Sequence, residues 1–337
     1  MKIHLMGLGK MGANLALNLM DHKYDVLGFD ISKDARELAK KSGIKVAESM
    51  NEFLSRKNNE RIQLFLFIPN QFVDDVIQQL MPYLQHDDIL VDGGNSNYKL
   101  SLKRYYELKE KGIHFVDMGT SGGTHGARFG ACLMIGGEKD IYEYLKPVYE
   151  AISEKDGYEY MGAPGAGHFV KMVHNGIEYG MMQAIAEGLE LMEASNFDID
   201  YEKVTKVWNH GSIIESNLVG YVHEAFKKNA RLDEIAGRID DSGEGRWMIE
   251  EALNLGVSMP VISNSLFVRY KSRDDLKFGE KVVAAMRNEF GGHKVYKKKW
   301  KKILLLQYLD QQVIWLQENY YLQYPNYINQ NQFLKIF

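Results

Sequence analysis

Cysteine is nearly absent from this 337-residue sequence, and the single one, Cys132, rules out an intrachain disulfide and a cysteine-built zinc cage. That usage suits a reducing compartment, so a cytoplasmic location is expected. Positive charge is not in excess: 41 Lys and Arg against 45 Asp and Glu leave a net charge of −4. No global field is available to hold nucleic acid or an acidic membrane, and any anion site must be local. Long hydrophobic runs are missing as well. The N-terminus passes from Met1-Lys2 into a short apolar run broken by Gly7 and Gly9, too short for a signal peptide or a membrane-spanning helix. The ten histidines show no metal-ligand spacing, and no metal is expected. What remains, 45% hydrophobic and 26% charged, is enough for a substantial core and long enough for two domains.

The first half alternates short apolar runs with longer amphipathic stretches, the pattern of a parallel sheet flanked by helices. Strands are expected at 2–6, 25–29, 63–68, 89–91, 113–116 and 133–135, with helices at 14–21 and 34–42 among them. The fold class is therefore α/β: an N-terminal Rossmann-like, doubly wound parallel sheet over 1–165. A Gly- and Pro-rich loop at 162–167 closes it. After that loop no proline interrupts a helical pattern over about 168–196, so an all-α C-terminal domain, 166–296, is expected to open with one unusually long helix.

Directly after the first strand comes Gly7-Leu8-Gly9-Lys10-Met11-Gly12, a G-x-G-x-x-G turn that opens a helix. In such a turn Gly7 permits the tight bend, Gly9 lets the backbone approach a pyrophosphate, and Gly12 lets helix and strand pack closely. Asp30 closes the second strand about 20 residues on, where an acid accepts the ribose hydroxyls. The same acid repels a 2′-phosphate, and Ile31 and Ser32 supply no arginine to neutralise one; Lys33 is the nearby cation such a phosphate would use. NAD is favoured, with NADP possible. Met11 is placed near the nicotinamide or in plain core packing.

The long helix carries Lys171, His174, Asn175, Glu178 and Tyr179. Spacings of three, four and seven put a base, polar anchors and an acid on one stripe. A solvated ion-pair ladder reads the same way. Against it stand the glycine loop just before the run, the nucleotide fold, and a mid-helix Asn175-Gly176 pair that costs about 1 kcal/mol in helix propensity.

The runs Val91-Asp92-Gly93-Gly94-Asn95-Ser96, Gly119-Thr120-Ser121-Gly122-Gly123, Lys171 through Tyr179, and Arg287-Asn288-Glu289-Phe290-Gly291-Gly292-His293 resemble the fingerprints of 6-phosphogluconate dehydrogenases, in order, up to about residue 296. The length resembles the family's short, bacterial-type branch. The resemblance implies oxidative decarboxylation of 6-phosphogluconate to ribulose 5-phosphate. It makes Lys171 the general base, neutral at the working pH, that takes the C3 hydroxyl proton while hydride leaves C3 for the nicotinamide. It makes Glu178 the acid that protonates C1 of the enediol. Asn95, Ser121, Gly122, Gly123, His174 and Asn175 match positions that hold the substrate's carboxylate and hydroxyls, with Asn95 also beside the cofactor. Tyr179, Arg269, Arg287 and His293 match the phosphate anchors, Arg269 through its 22-residue spacing from Trp247. In the family the C-terminal Arg and His reach the partner subunit's site, which implies a homodimer.

One departure stands out. Where the long form has a lysine and a threonine contacting substrate before its Gly-Lys-Trp, this sequence has Ser242-Gly243-Glu244-Gly245-Arg246-Trp247, leaving Arg246 as the residue to compensate. The resemblance ends near Val295. The tail, 297–337, is expected outside the core: back-translated and read one base earlier, allowed codons spell a string resembling the start of glucose-6-phosphate dehydrogenase, as in an out-of-frame gene overlap. Sequencing the locus tests that expectation. Two other readings stay open, a β-hydroxyacid dehydrogenase acting on an acid such as 3-hydroxyisobutyrate and a non-catalytic dinucleotide-binding regulator.

Overall fold

The computed structural model describes residues 1–56 and 60–296, so the expected tail lies outside the described residues. Among these residues eight strands form one sheet: β1 Lys2–Met6, β2 Asp25–Phe29, β3 Lys45–Val46, β4 Gln63–Leu66, β5 Ile89–Asp92, β6 His114–Ser121, β7 Ala131–Gly136 and β8 Ser153–Gly162. Helices α1 Lys10–Asp21, α2 Lys33–Lys41, α3 Met50–Phe53, α4 Val73–Leu80, α5 Tyr98–Lys109, α6 Gly123–Phe129 and α7 Lys139–Ile152 alternate with them. The strand order β3-β2-β1-β4-β5-β6-β7-β8 reverses direction at β1 and β4, the switch point of a doubly wound sheet.

β4 and β5 are buried along their whole length, as strands covered on both faces must be. On one face Ile3, Leu5 and Ile135 pack with Leu15 and Leu19 of α1 and Tyr149 and Ile152 of α7. On the other, Leu64, Leu66 and Leu90 pack with Phe53 of α3, Ile77 and Leu80 of α4, and Tyr105 and Leu108 of α5.

The sheet departs from the expected all-parallel arrangement at one pair: β6 and β7 run antiparallel, with Asp117 opposite Gly136 and Ser121 opposite Cys132. Only 122–130 connect them, and nine residues fall short of the dozen or so that a parallel crossover needs. α7 then supplies a full crossover, so β8 returns parallel to β7. Sequence reading missed β3 and β8. β3 has two residues, too few to show a period, and β8 is an edge strand that opens on charged residues, with Tyr158 and Tyr160 packing on the core near its end.

The expected long helix is α8, Ala166–Glu193, whose 28 residues span about 42 Å. Helices α9 Tyr201–Trp208, α10 Asn217–Lys228, α11 Glu244–Leu255 and α12 Pro260–Ser272 follow, and α11 and α12 pack on α8. The chain falls into two compact units, Met1–Arg273 and Asp274–Phe337, the second containing α13, Phe278–Gly291. The expected division between 165 and 166 falls inside the first unit, at the start of α8. Among the described residues no helix is long and apolar enough to cross a membrane.

Candidate active site

The glycine turn is built as a cradle. Gly7 sits at φ +96°, and a Cβ there would lie 2.3 Å from the Phe67 carbonyl oxygen. A Cβ on Gly12 would lie 1.9 Å from the Gly7 carbonyl oxygen, so both glycines are demanded by the fold itself. Gly9 differs: a Cβ there meets nothing within 4 Å. The open space in front of it, at the uncapped start of α1 with no acid in the first turn, suits a pyrophosphate. Leu8 is buried beside the turn. Its amide donates to Asp30 Oδ2 at 2.7 Å, while the Ser32 amide donates to Oδ1 at 2.8 Å. Two backbone donors thus fix the carboxylate at the end of β2. Sequence reading missed Arg36, on α2, whose Nη1 donates to the carbonyls of Asp30 (2.7 Å) and Ile31 (3.2 Å) and whose Nε donates to Glu48 at 3.3 Å.

Past β5, Asp92 is buried and organises the next loop. It accepts Ser96 Oγ at 2.7 Å, the Gly94 amide at 3.2 Å and Arg104 Nη1 at 3.2 Å. Arg104 in turn reaches Asp74 at 2.6 Å, and Thr120 Oγ1 of β6 donates to the Gly93 carbonyl at 3.1 Å. Asn95 is thereby displayed at the surface of a loop held from both sides. Neither Asp92 nor Arg104 was singled out in the sequence; a buried acid directly before two glycines was the available signal.

β6 also sets the position of α8. Buried Asp117 accepts the amides of Gly165 (2.7 Å) and His168 (2.8 Å), filling two of the donor vacancies at the start of that helix. Burial pushes its carboxyl pKa upward, against the pull of His168 and these amides. Gly167 makes the approach possible, since a Cβ there would lie 2.3 Å from the Asp117 carbonyl oxygen. His168 is tied to α5 through Ser101 Oγ at 2.7 Å from Nδ1.

One turn further along α8, Lys171 rises over Gly119 of β6, where an added Cβ would meet the lysine Cβ at 2.4 Å. Lys171 is 6% exposed, and among the described residues it has no hydrogen-bond or ion-pair partner. Burial lowers its pKa; Glu178, Glu244 and Cys132 oppose that by raising it. Ser121, at the end of β6, lies 3.2 Å from His174 Nε2, and His174 Nδ1 lies 3.1 Å from Asn175 Oδ1 and 4.0 Å from Glu178. A neutral ring with its proton on Nδ1 accepts from the serine hydroxyl and donates to the amide oxygen. Gly122 (φ +111°) and Gly123 (φ +60°) turn the chain away beside Ser121, and a Cβ on Gly123 meets nothing within 4 Å.

A second corner forms around Tyr179. The guanidinium of Arg269, from α12, lies 3.4 Å from the centroid of the buried ring. The tyrosine hydroxyl lies 3.3 Å from Asp241 Oδ1 and 3.1 Å from Ser242 Oγ. Gly245 makes room for the ring, since a Cβ there would lie 2.6 Å from it. Arg246 lies 3.9 Å from Asp241. The fold thus joins Lys171, His174, Asn175, Ser121 and Glu178 in one constellation, and Tyr179 with Arg269 in another. Arg287 stands on α13 and His293 just past its end, in the second unit, where the His293 amide donates to the Arg287 carbonyl at 3.3 Å. Among the described residues no group of His, Cys, Asp and Glu is arranged to hold a metal ion.

Residues 2–164 match the NAD binding domain of 6-phosphogluconate dehydrogenase, and 167–277 match the 6-phosphogluconate dehydrogenase C-terminal domain. A putative 6-phosphogluconate dehydrogenase of Bacillus subtilis is 49% identical over 298 residues, covering 88% of this chain and all of that protein. An NAD(+)-dependent, decarboxylating 6-phosphogluconate dehydrogenase of Haloferax volcanii is 37% identical, covering 88% of this chain and 99% of that one. The structure of Plasmodium falciparum 6-phosphogluconate dehydrogenase superposes with a TM-score of 0.74 at 28% identity, over 89% of this chain and 67% of that chain. With both family models in register along the sheet and the long helix, the chain belongs to the 6-phosphogluconate dehydrogenase family.

Proposed function

We propose that this protein oxidises and decarboxylates 6-phospho-D-gluconate to D-ribulose 5-phosphate, reducing a nicotinamide dinucleotide. The observation that carries the reading is Lys171, a buried amine that is unpartnered among the described residues and stands on the same helix face as Glu178. Desolvation lowers the Lys171 pKa, in the direction of the neutral base this chemistry requires. Gly7, Leu8, Gly9, Met11 and Gly12 would hold the nicotinamide dinucleotide, which when bound would supply the acceptor for the C3 hydride. Lys171 takes the C3 hydroxyl proton as that hydride departs, which leaves a β-keto acid. Its ammonium form then donates to the C3 oxygen as the C1 carboxylate leaves as carbon dioxide and the bonding pair moves into the enediol. Glu178 delivers a proton to the former C2 of the gluconate, which becomes C1 of the pentulose, while the hydroxyl proton returns to Lys171, giving the ketose. Asn95, Ser121, Gly122, Gly123, His174 and Asn175 hold the substrate's carboxylate and hydroxyls. Tyr179 and Arg269 anchor its phosphate, with Arg287 and His293 supplied across a homodimer.

NAD is the preferred cofactor in this reading, because the fixed Asp30 carboxylate repels a 2′-phosphate and Arg36 is already engaged by carbonyls and Glu48. Residues 1–165 form the dinucleotide domain and 166–296 the substrate and dimerisation domain, in a cytoplasmic enzyme. The test is reduced-cofactor formation with 6-phosphogluconate beside 3-hydroxyisobutyrate, each with NAD and NADP. Turnover of 6-phosphogluconate, faster with NAD, is expected, and Asp30→Asn should narrow the cofactor ratio about tenfold. Turnover confined to 3-hydroxyisobutyrate would overturn the reading, and an unchanged ratio in Asp30→Asn would remove the explanation of preference.

A further inference from the structure

Glu244 is a buried acid that this mechanism leaves unused. It is 6% exposed and opens α11, and the resemblance described above implies a substrate-contacting threonine at this position in the family's long form. A carboxylate repels a phosphate dianion, so the threonine's contact cannot simply be inherited. The geometry assigns it a different partner. Ser242 Oγ donates to Glu244 Oε2 at 2.5 Å, which commits the one serine proton and leaves the serine oxygen as an acceptor, at 3.1 Å, for the Tyr179 hydroxyl, whose single proton it shares with Asp241 Oδ1 at 3.3 Å.

We propose that Glu244 and Ser242 are positioning residues for the phosphate anchor: they no longer touch the phosphate but hold Tyr179, and through it the Arg269 guanidinium, in place. The proposal rests on the reading of Tyr179 and Arg269 as phosphate ligands. One support of Arg269 is the α8 ring that this stretch of chain holds, and the other is the stretch's own backbone. Its guanidinium carbon lies over the Tyr179 ring, 3.4 Å from the centroid, and its Nη1 donates to the Asp240 carbonyl at 3.2 Å. The loop is itself rigidly tied, with the Gly243 amide on Asp241 Oδ1 at 2.9 Å, the Tyr270 hydroxyl on Asp241 Oδ2 at 3.4 Å, and Gly243 at φ +107°. Glycine at 245 lets α11 come close enough for the serine to reach the tyrosine. An arginine held by a ring and a carbonyl keeps its remaining donors aimed and loses little rotamer entropy on binding, which is what affinity for a small anion requires.

Steady-state kinetics on the full chain test this. Glu244→Ala is expected to raise KM for 6-phosphogluconate about tenfold with kcat within about twofold, and Glu244→Gln to restore the wild-type KM, because its amide oxygen accepts the same serine proton. Ser242→Ala should reproduce the Glu244→Ala change, and the double variant should be no worse than either alone. A fall in KM on removing Glu244, a loss confined to kcat, additive losses in the double variant, or a Glu244→Gln as impaired as Glu244→Ala would each overturn it. Should Glu244→Ala fail to fold, Ser242→Ala and Glu244→Gln still decide. Arg269→Ala separates the two levels: an unchanged KM there defeats the phosphate reading, whereas a raised KM with unaffected Glu244 and Ser242 variants defeats only this inference.

Discussion

The sheet-bearing region up to Gly162 and the helices that follow it differ in how they dispose of apolar surface. In the first, whole strands and the inner faces of α1, α4, α5 and α7 are sealed, and even Arg104 and Asp117 are buried. In the second, α8 to α12 leave Leu191, Phe197, Val207, Ile213, Leu253 and Phe267 exposed, Phe197 at 80% and Ile213 at 102%. The sheet region exposes apolar residues more sparsely, among them Ile31 and Phe129, and the homodimer proposed above would cover part of the helical surface. The contrast has a functional side. The sheet region holds fixed donors and acceptors, whereas the titrating groups of the proposed reaction stand on one helix laid against it.

The comparison breaks first at Lys171. Lys171→Ala should lower kcat about 10³-fold or more with NAD binding and thermal stability retained, read by steady-state assay and cofactor titration. Retained turnover would mean that the helix does not carry the chemistry. Activity of the unaltered protein should rise with pH through the lowered pKa of Lys171, since only the neutral amine accepts the C3 proton.

The second test lies wholly in the sheet region. His4, on β1, is buried against Phe53 with neither ring nitrogen partnered, and burial lowers its pKa to about 4. Above pH 6.5 both folded and unfolded chains hold it neutral. As pH falls from 6.5 toward 4 only the unfolded chain gains the proton, so stability is lost across that window, by about 3 kcal/mol when complete. Urea unfolding at pH 7, 5.5 and 4 should show the loss, and His4→Leu should flatten it. Equal slopes in the two proteins would place the acid sensitivity elsewhere.

The smallest expected effect falls where the regions join. Asp117→Ala strands the buried amides of Gly165 and His168 and should cost about 2 kcal/mol of stability. Because that cap sets where Lys171 emerges, kcat should fall with it. A lower melting temperature at unchanged kcat would show that glycine packing alone places the helix.

Much of this was legible in the sequence because it is local. Gly7, Gly9 and Gly12 announced the turn, apolar runs announced six strands, and a proline-free stretch announced α8. The antiparallel β7 and the edge strand β8 were not legible. Connection length rather than propensity reverses the first, and in the second charged residues mask the short tyrosine pair that meets the core. Among site residues, Arg36, Arg104 and Asp117 escaped notice, and Asp92 and Glu244 stood in quoted motifs without a role, each being an ordinary charged residue until folding supplies its partner.

The sequence by itself determined the glycine cradle, the acid at the end of β2, and an amine and an acid seven residues apart on a helix, because helical and strand periods and tight turns are set over a few neighbouring residues. Only the tertiary structure decided that the amine is buried without a partner, that Asp117 pins the helix beneath it, and that Ser242 ties Glu244 to Tyr179. Those states depend on desolvation and on hydrogen bonds between residues some 50 to 60 positions apart, and no local pattern encodes them.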